Sequence, residues 1–128
     1  MFSSVPKPFV ILGALFGFLS VAFGAFGAHA LKAKLPADML VIFETGVRYQ
    51  MYHALALFAV AWAASVYSHH LVPAAGWAFT AGIVIFSGSL YILALSGVRT
   101  WGAVTPIGGL CLLAGWCFLL IGVLKSGS

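Results

Sequence analysis

Four long apolar stretches, set apart by three short polar ones, run through the chain. Residues 9–30 carry no formal charge. Their 22 positions make about 33 Å of helix, enough to cross the roughly 30 Å hydrocarbon core of a bilayer. The pattern recurs at 46–66, at 74–95 and at about 105–124. Each stretch is predicted to be a membrane-spanning helix. Between the first two, Pro36 stops one helix and Asp38 supplies an acid for the start of the next, by capping it or from its first turn. The segment 37–45 is apolar enough to lie in the membrane interface or to lengthen the second span. Pro73 closes the turn SVYSHHLVP, and Pro106 falls in the first turn of the last helix, where a missing N–H costs little. Short connections make consecutive helices antiparallel neighbours. The expected fold is therefore all-α: one domain over 1–128, an up-and-down four-helix bundle integral to the membrane.

Small residues reinforce this expectation. Gly13 and Gly17 form a GxxxG pair continued by Gly24 and Ala28, while Gly82, Ser89 and Ser96, and Gly108, Gly115 and Gly122, recur every seven positions. Lipid offers no hydrophobic force between helices, so stripes of small side chains that let backbones approach are the expected packing faces. No internal repeat relates the two halves.

Composition fits a membrane setting. Of the 128 residues 63% are hydrophobic and 6% charged, far below the ~25% charge of soluble domains. The net charge of +4 comes from scattered cations. With no Lys/Arg run and no base-stacking pattern, a nucleic-acid partner is not expected; the cations suit anionic lipid headgroups. A basic residue before an apolar run, with Ala28-His29-Ala30 resembling a cleavage site, has the outline of a signal peptide. The apolar run is too long for one, and three more follow. Lys32, Lys34, Arg48 and Arg99 accompany the first and third connections, against Lys7 and Lys125 near the termini. The positive-inside rule then puts those connections in the cytoplasm and the termini outside. Tyr49, Tyr67, Trp77 and Trp101 read as interface anchors. Cys111 and Cys117 lie about 120° apart on a helix and are expected to form neither a disulfide nor a metal site.

Polar chemistry is concentrated in residues 27–57, which hold both acids, three of the six basic residues and two of the four histidines. Glu44, Arg48 and Tyr52 stand four apart on one helical face, and Tyr49 and His53 form a second line about 100° around. Arg48 is near enough to the span's end to snorkel. Its pairing with Glu44 is the simplest structural role for both. His53 lies deeper, where an imidazole needs a partner on a neighbouring helix or a ligand. His29 ends the first span among small residues. Two histidines on facing helices match what bis-imidazole haem ligation requires. His69 and His70 fall in the opposite, solvated loop.

The motifs GAFGAHALK, FETGVRYQMYHALAL and GGLCLLAGW, in this order, resemble the small four-span membrane protein family of bacterial YgdD-like proteins, domain of unknown function 423. The resemblance runs over essentially the whole chain. Gly24, Gly27, His29, Lys32, Glu44, Thr45, Arg48, Tyr49, Gln50, His53 and Ala54 match its motifs. It implies a multi-pass protein of the bacterial plasma membrane and brings no enzymatic activity with it.

No nucleotide loop or nucleophile motif is present, so binding is expected rather than catalysis, with no cofactor or metal. The expected site is a polar pocket between the first two helices that takes a lipid or quinone headgroup or docks a partner, within a larger membrane complex or homo-oligomer. Arg48 and Lys32 hold the head, Tyr49 and His53 hydrogen-bond it, and Glu44 orients Arg48, with His29 and Tyr52 nearby. Two rival expectations use the same residues. His29 and His53 bind haem or flank a quinone in one; Glu44, Arg48, Tyr52 and His53 line a proton or ion path in the other.

Overall fold

In the computed structural model, which describes residues 4–127, proline stands at or just inside the start of every helical rod. Its fixed φ suits a first turn, and its missing N–H has no intrahelical partner to lose there. Pro6 precedes α1 (Lys7–His29) and Pro36 precedes α2 (Ala37–Val66). Pro73 lies in the first turn of α3 (Leu71–Gly82), and Pro106 in that of α5 (Thr105–Lys125). α3 continues through a π-helical turn (Ile83–Ser87) into α4 (Gly88–Ser96), forming one rod. Gly97 ends that rod in the left-handed conformation (φ 74°), its N–H donating to the Leu93 carbonyl at 2.8 Å, the glycine stop expected of a helix C-terminus. Short 3-10 turns, Leu31–Ala33 and Arg99–Ala103, complete the first and third connections. All regular structure among the described residues is helical.

Two boundaries differ from expectation. Residues 37–45 are not a separate interfacial piece but the opening turns of the 30-residue α2. Nothing between Ala37 and Gly46 breaks a helix, Met39 and Phe43 are buried, and Phe43 packs on Gly27 and Tyr91 of the neighbouring rods. The third rod begins at Leu71 rather than after Pro73, because proline is accommodated in a first turn.

Cross-rod contacts fix the topology. Gly13 of α1 lies against Ala54 and Phe58 of α2, and Gly27 against Phe43. Gly46 of α2 lies against Ser87 and Tyr91. On α5, Gly108 meets Phe86, Gly115 meets Phe79 and Gly122 meets Val72. Phe43, Tyr49 and His53 of α2 meet Tyr91, Phe86 and Phe79 of the next rod, so in each series one number rises as the other falls and successive rods are antiparallel. α2 and the α3–α4 rod pack on each other in the centre; α1 flanks α2, α5 flanks α3, and α1 and α5 share no extended contact. The arrangement is a rhombus with α1 and α5 at its far corners. Twelve α2 residues are buried, against four in α1 and four in α5. The main core joins all four rods through Phe9, Leu57, Val60, Phe79, Ile83 and Leu112.

This burial explains an uneven hydropathy. Three rods, residues 7–33, 71–96 and 99–125 with their flanking turns, are long and apolar enough to cross a membrane, and α2 does not reach that level. α2 carries Arg48, Tyr49, Gln50, Tyr52 and His53 around its middle. The outer rods face their surroundings with Leu, Ile, Val and Phe, whereas the central helix can hold polar groups that its neighbours satisfy.

Candidate functional site

The face of α2 that turns inward repeats at Gly46, Gln50, His53, Ala54 and Leu57, all buried, the i, i+4, i+7 spacing of a helical stripe. Its polar members are fully engaged. Gln50 Nε2 donates to the Phe16 carbonyl of α1 at 2.9 Å, and Tyr91 of α4 donates its hydroxyl to Gln50 Oε1 at 2.6 Å. Ser87 Oγ, in the π turn, donates to the Gly46 carbonyl at 2.7 Å. Ser89 and Thr105 join their hydroxyls at 2.6 Å, linking α4 to α5. This set of polar contacts ties all four rods.

His53 belongs to it. The Tyr49 carbonyl lies 2.7 Å from Nδ1 and the indole Nε1 of Trp116 lies 3.1 Å from Nε2. A carbonyl only accepts and an indole N–H only donates, so the proton sits on Nδ1 and Nε2 is the acceptor. Phe79 and Trp116 cover the ring, at centroid distances of 5.4 and 5.8 Å. Both nitrogens are occupied by the protein itself. The partner is α5, not α1.

The expected pairing of His29 with His53 is not formed. His29 is exposed at the end of α1, near the level where Gly27 meets Phe43, while His53 is level with Gly13. More than ten residues of helix, on the order of 20 Å, separate the two levels. One haem cannot bridge them. The Glu44–Arg48 ion pair is also not formed. Both side chains are exposed, and the Arg48 guanidinium reaches only the Thr45 hydroxyl, at 3.5 Å. The ion pair found among the described residues is Arg99–Asp38 (3.0 Å), exposed, joining the third connection to the first turn of α2. Lys32 lies in the turn after α1, exposed.

The pocket is displaced accordingly. Instead of opening between α1 and α2, where glycines bring the helices close, it is a cleft of about 560 Å³ between α2 and α5. Tyr49, Phe86 and Pro106 line its upper end; Leu112, Leu113, Trp116 and His53 line its floor. The walls are almost wholly apolar. Tyr49 is 39% exposed, and its hydroxyl has no hydrogen-bond partner among the described residues. Its ring lies 4.9 Å from Phe86 and 5.8 Å from Tyr52, which is 54% exposed. Of the seven expected site residues, Tyr49 and His53 line the cleft and the Tyr52 ring lies beside Tyr49, while Glu44 and Arg48 are exposed on the line of α2 that Tyr52 shares and His29 and Lys32 lie outside the cleft. Gln50, Tyr91, Ser87 and Trp116 were not anticipated as site residues. The inward spacing of Gly46, Gln50 and His53 was a legible signal; nothing local marked Tyr91 or Trp116.

His69 and His70 stack in the second connection at 4.5 Å, His69 Nδ1 accepting from the Leu71 N–H. No group of three or more His, Cys, Asp or Glu that could hold a metal occurs among the described residues.

The sequence is similar to proteins of several bacteria. The UPF0382 membrane protein YwdK of Bacillus subtilis is 48% identical over 93% of this chain and 98% of its own length. The UPF0382 membrane protein SH2409 of Staphylococcus haemolyticus is 50% identical over 93% and 97%. The UPF0382 inner membrane protein YgdD of Escherichia coli K12 is 41% identical over 91% and 88%. No solved structure matches. The family model described as "Protein of unknown function (DUF423)" matches residues 23–109, a span that holds the polar face of α2 and the upper wall of the cleft. The chain is thus a multi-pass protein of the bacterial inner membrane and belongs to the DUF423 family.

Proposed function

We propose that this protein crosses the membrane four times and binds, without chemical turnover, the apolar chain of a membrane amphiphile in the cleft between α2 and α5. Support for the fourth crossing comes from α2 itself. Its 30 residues are ample for the bilayer, and the polar groups that lower its hydropathy, Gln50 and His53, are buried and hydrogen-bonded. Satisfied polar groups facing the bundle are tolerated at membrane depth.

The observation that carries the binding reading is the form of the cleft. Its volume is in the range of small-molecule sites, and it opens sideways between two rods rather than into water. From Pro106 to Trp116 it runs ten residues along α5, about 15 Å, half the hydrocarbon thickness of a bilayer. A chain entering beside Tyr49 would end against Trp116 and His53 near the membrane's middle. No nucleophile with an adjacent base lines the cleft, and both His53 nitrogens are already bonded, which favours binding over catalysis or proton conduction.

Filling the cleft tests this. A Cβ at Gly109 would meet only Phe86, at an ordinary 3.9 Å, so Gly109→Phe can fold while its ring occupies the cleft. Native mass spectrometry of protein extracted in mild detergent is expected to find one retained amphiphile in the unaltered protein and none in the variant. No retained molecule in the unaltered protein, or equal retention in both, would refute the reading.

A further inference from the structure

We infer that the outward face of α2 docks a second copy of this protein within the membrane, Arg48 of each copy pairing with Glu44 of the other. At 3.6 residues per turn Glu44 lies half a turn from His53, so this face is opposite the cleft and the inference does not depend on what the cleft holds. Val41, Glu44, Arg48, Tyr52, Leu55 and Trp62 run along it, all exposed and spaced to share one side of the helix.

The two sides of α2 treat polar groups differently. Inward, Gln50 and His53 are satisfied by the other rods. Outward, the polar ends are unmet. Glu44 and Arg48 are four apart, the spacing that ordinarily pairs such residues, yet no ion pair forms between them. Arg48 reaches only the Thr45 hydroxyl, at 3.5 Å, and neither the Glu44 carboxylate nor the Tyr52 hydroxyl has a hydrogen-bond partner among the described residues. Both charges also stand at membrane depth. Val47 lies against Gly24 and Phe43 against Gly27, which sets Glu44 and Arg48 beside the part of α1, between Lys7 and His29, that carries no charge. On their own face they are bracketed by Val41 on one side and by Leu55 and Trp62 on the other. Charges turned towards acyl chains are costly, and those found inside membranes pair with one another.

A second copy supplies both missing groups at once. Two copies inserted the same way round are related by a twofold axis along the membrane normal, so whatever Arg48 of one meets in the other is met reciprocally. Four residues separate Glu44 from Arg48, about 6 Å along the axis. An arginine side chain spans that offset, much as charges at the edges of parallel coiled-coil helices bridge to each other. Two ion pairs form and no charge is left over. A copy inserted upside down would also match the charges, about Gly46. Nine residues of α2 precede Gly46 and twenty follow it, so the two helices would then be staggered by eleven residues, about 16 Å, and could not share one bilayer.

The test reconstitutes the full-length protein in phospholipid bilayers, with Cys111 and Cys117 replaced by alanine and Leu55→Cys introduced. Position 55, eleven residues beyond Glu44, falls between Glu44 and Arg48 around the helix. The readout is the ratio of disulfide-linked dimer to monomer after mild oxidation, and dimer is expected. Glu44→Arg or Arg48→Glu alone sets like charges together and should lower the ratio about tenfold, the scale of two polar contacts between membrane helices. The two variants mixed in equal amounts should recover it, and so should one chain carrying both substitutions, which separates lost pairing from failure to fold. A protein that stays monomeric, with Arg48 turned up to the headgroups, would overturn the inference. So would a ratio indifferent to either reversal, or reversals rescued neither by mixing nor by combination.

Discussion

At the scale of single residues, His53 shows how one side chain can invite a functional reading and turn out to be bonded within the fold. Its depth in α2 required a partner, and Trp116 on α5 supplies one. Trp116→Phe keeps the ring packing and removes the donor, leaving Nε2 unpaired inside the bundle. Hydrogen bonds between membrane helices average about 0.6 kcal/mol and reach ~1.7. A loss of that size is expected in a reversible detergent-denaturation titration, and an unchanged midpoint would mean that the bond contributes nothing. Gln50 joins α1 to α4 through two bonds, so Gln50→Leu should cost more than Trp116→Phe in the same titration. The need for partners was legible from the residues; their identity was not. Trp116 is 63 positions from His53, and only the way the rods assemble brings them together.

At the scale of elements, the glycines divide sharply. The heptad Gly108, Gly115 and Gly122 was readable as a packing face, and all three abut the α3–α4 rod. The GxxxG pair was only half right: Gly13 touches Ala54 and Phe58, while Gly17 has nothing within 4 Å of its would-be Cβ. The π turn that brings the Phe86 backbone against Gly108 left no trace in the hydropathy, because one inserted residue does not alter an already continuous apolar run. Gly108→Ala would set a methyl on the Phe86 backbone and is expected to destabilise by about 1–3 kcal/mol, as overpacking does. Gly17→Ala should stay within ~0.5 kcal/mol of the parent. Thermal denaturation in one detergent checks both, and equal midpoints would refute the packing assignment. The sites of helix contact are thus mostly visible in the sequence, whereas nothing in it marks the cleft beside α5, which is larger than the recess of about 110 Å³ that α1, α2 and α4 leave at Phe23, Phe43 and Tyr91.

At the scale of the whole molecule, hydropathy located all four rods to within a few residues, apart from the joining of 37–45 to α2. What it could not convey was the rhombus, which makes α2 the least apolar rod and puts α1 and α5 at the outside. Four crossings require Ala37 and Ser68, at opposite ends of α2, to face opposite sides of the membrane. With Cys111 and Cys117 replaced by alanine, a cysteine at either position should react with a membrane-impermeant maleimide from one side only, and from different sides. The Lys and Arg distribution predicts that position 68 is reached from outside. Labelling of both from the same side would mean that α2 does not cross. The exposed Arg99–Asp38 pair adds less than about 1 kcal/mol to this assembly.

The central claim, that an amphiphile's chain lies in the α2–α5 cleft, is tested most directly by cross-linking. A phospholipid bearing a photoreactive diazirine near the end of one acyl chain is incorporated with the protein into bilayers, and adducts are mapped by peptide mass spectrometry. Adducts concentrated at Leu112, Leu113, Trp116 and His53, and displaced by Gly109→Phe, are the predicted result. Adducts spread evenly over the exposed faces of α1 and α5, unchanged by that substitution, would contradict it.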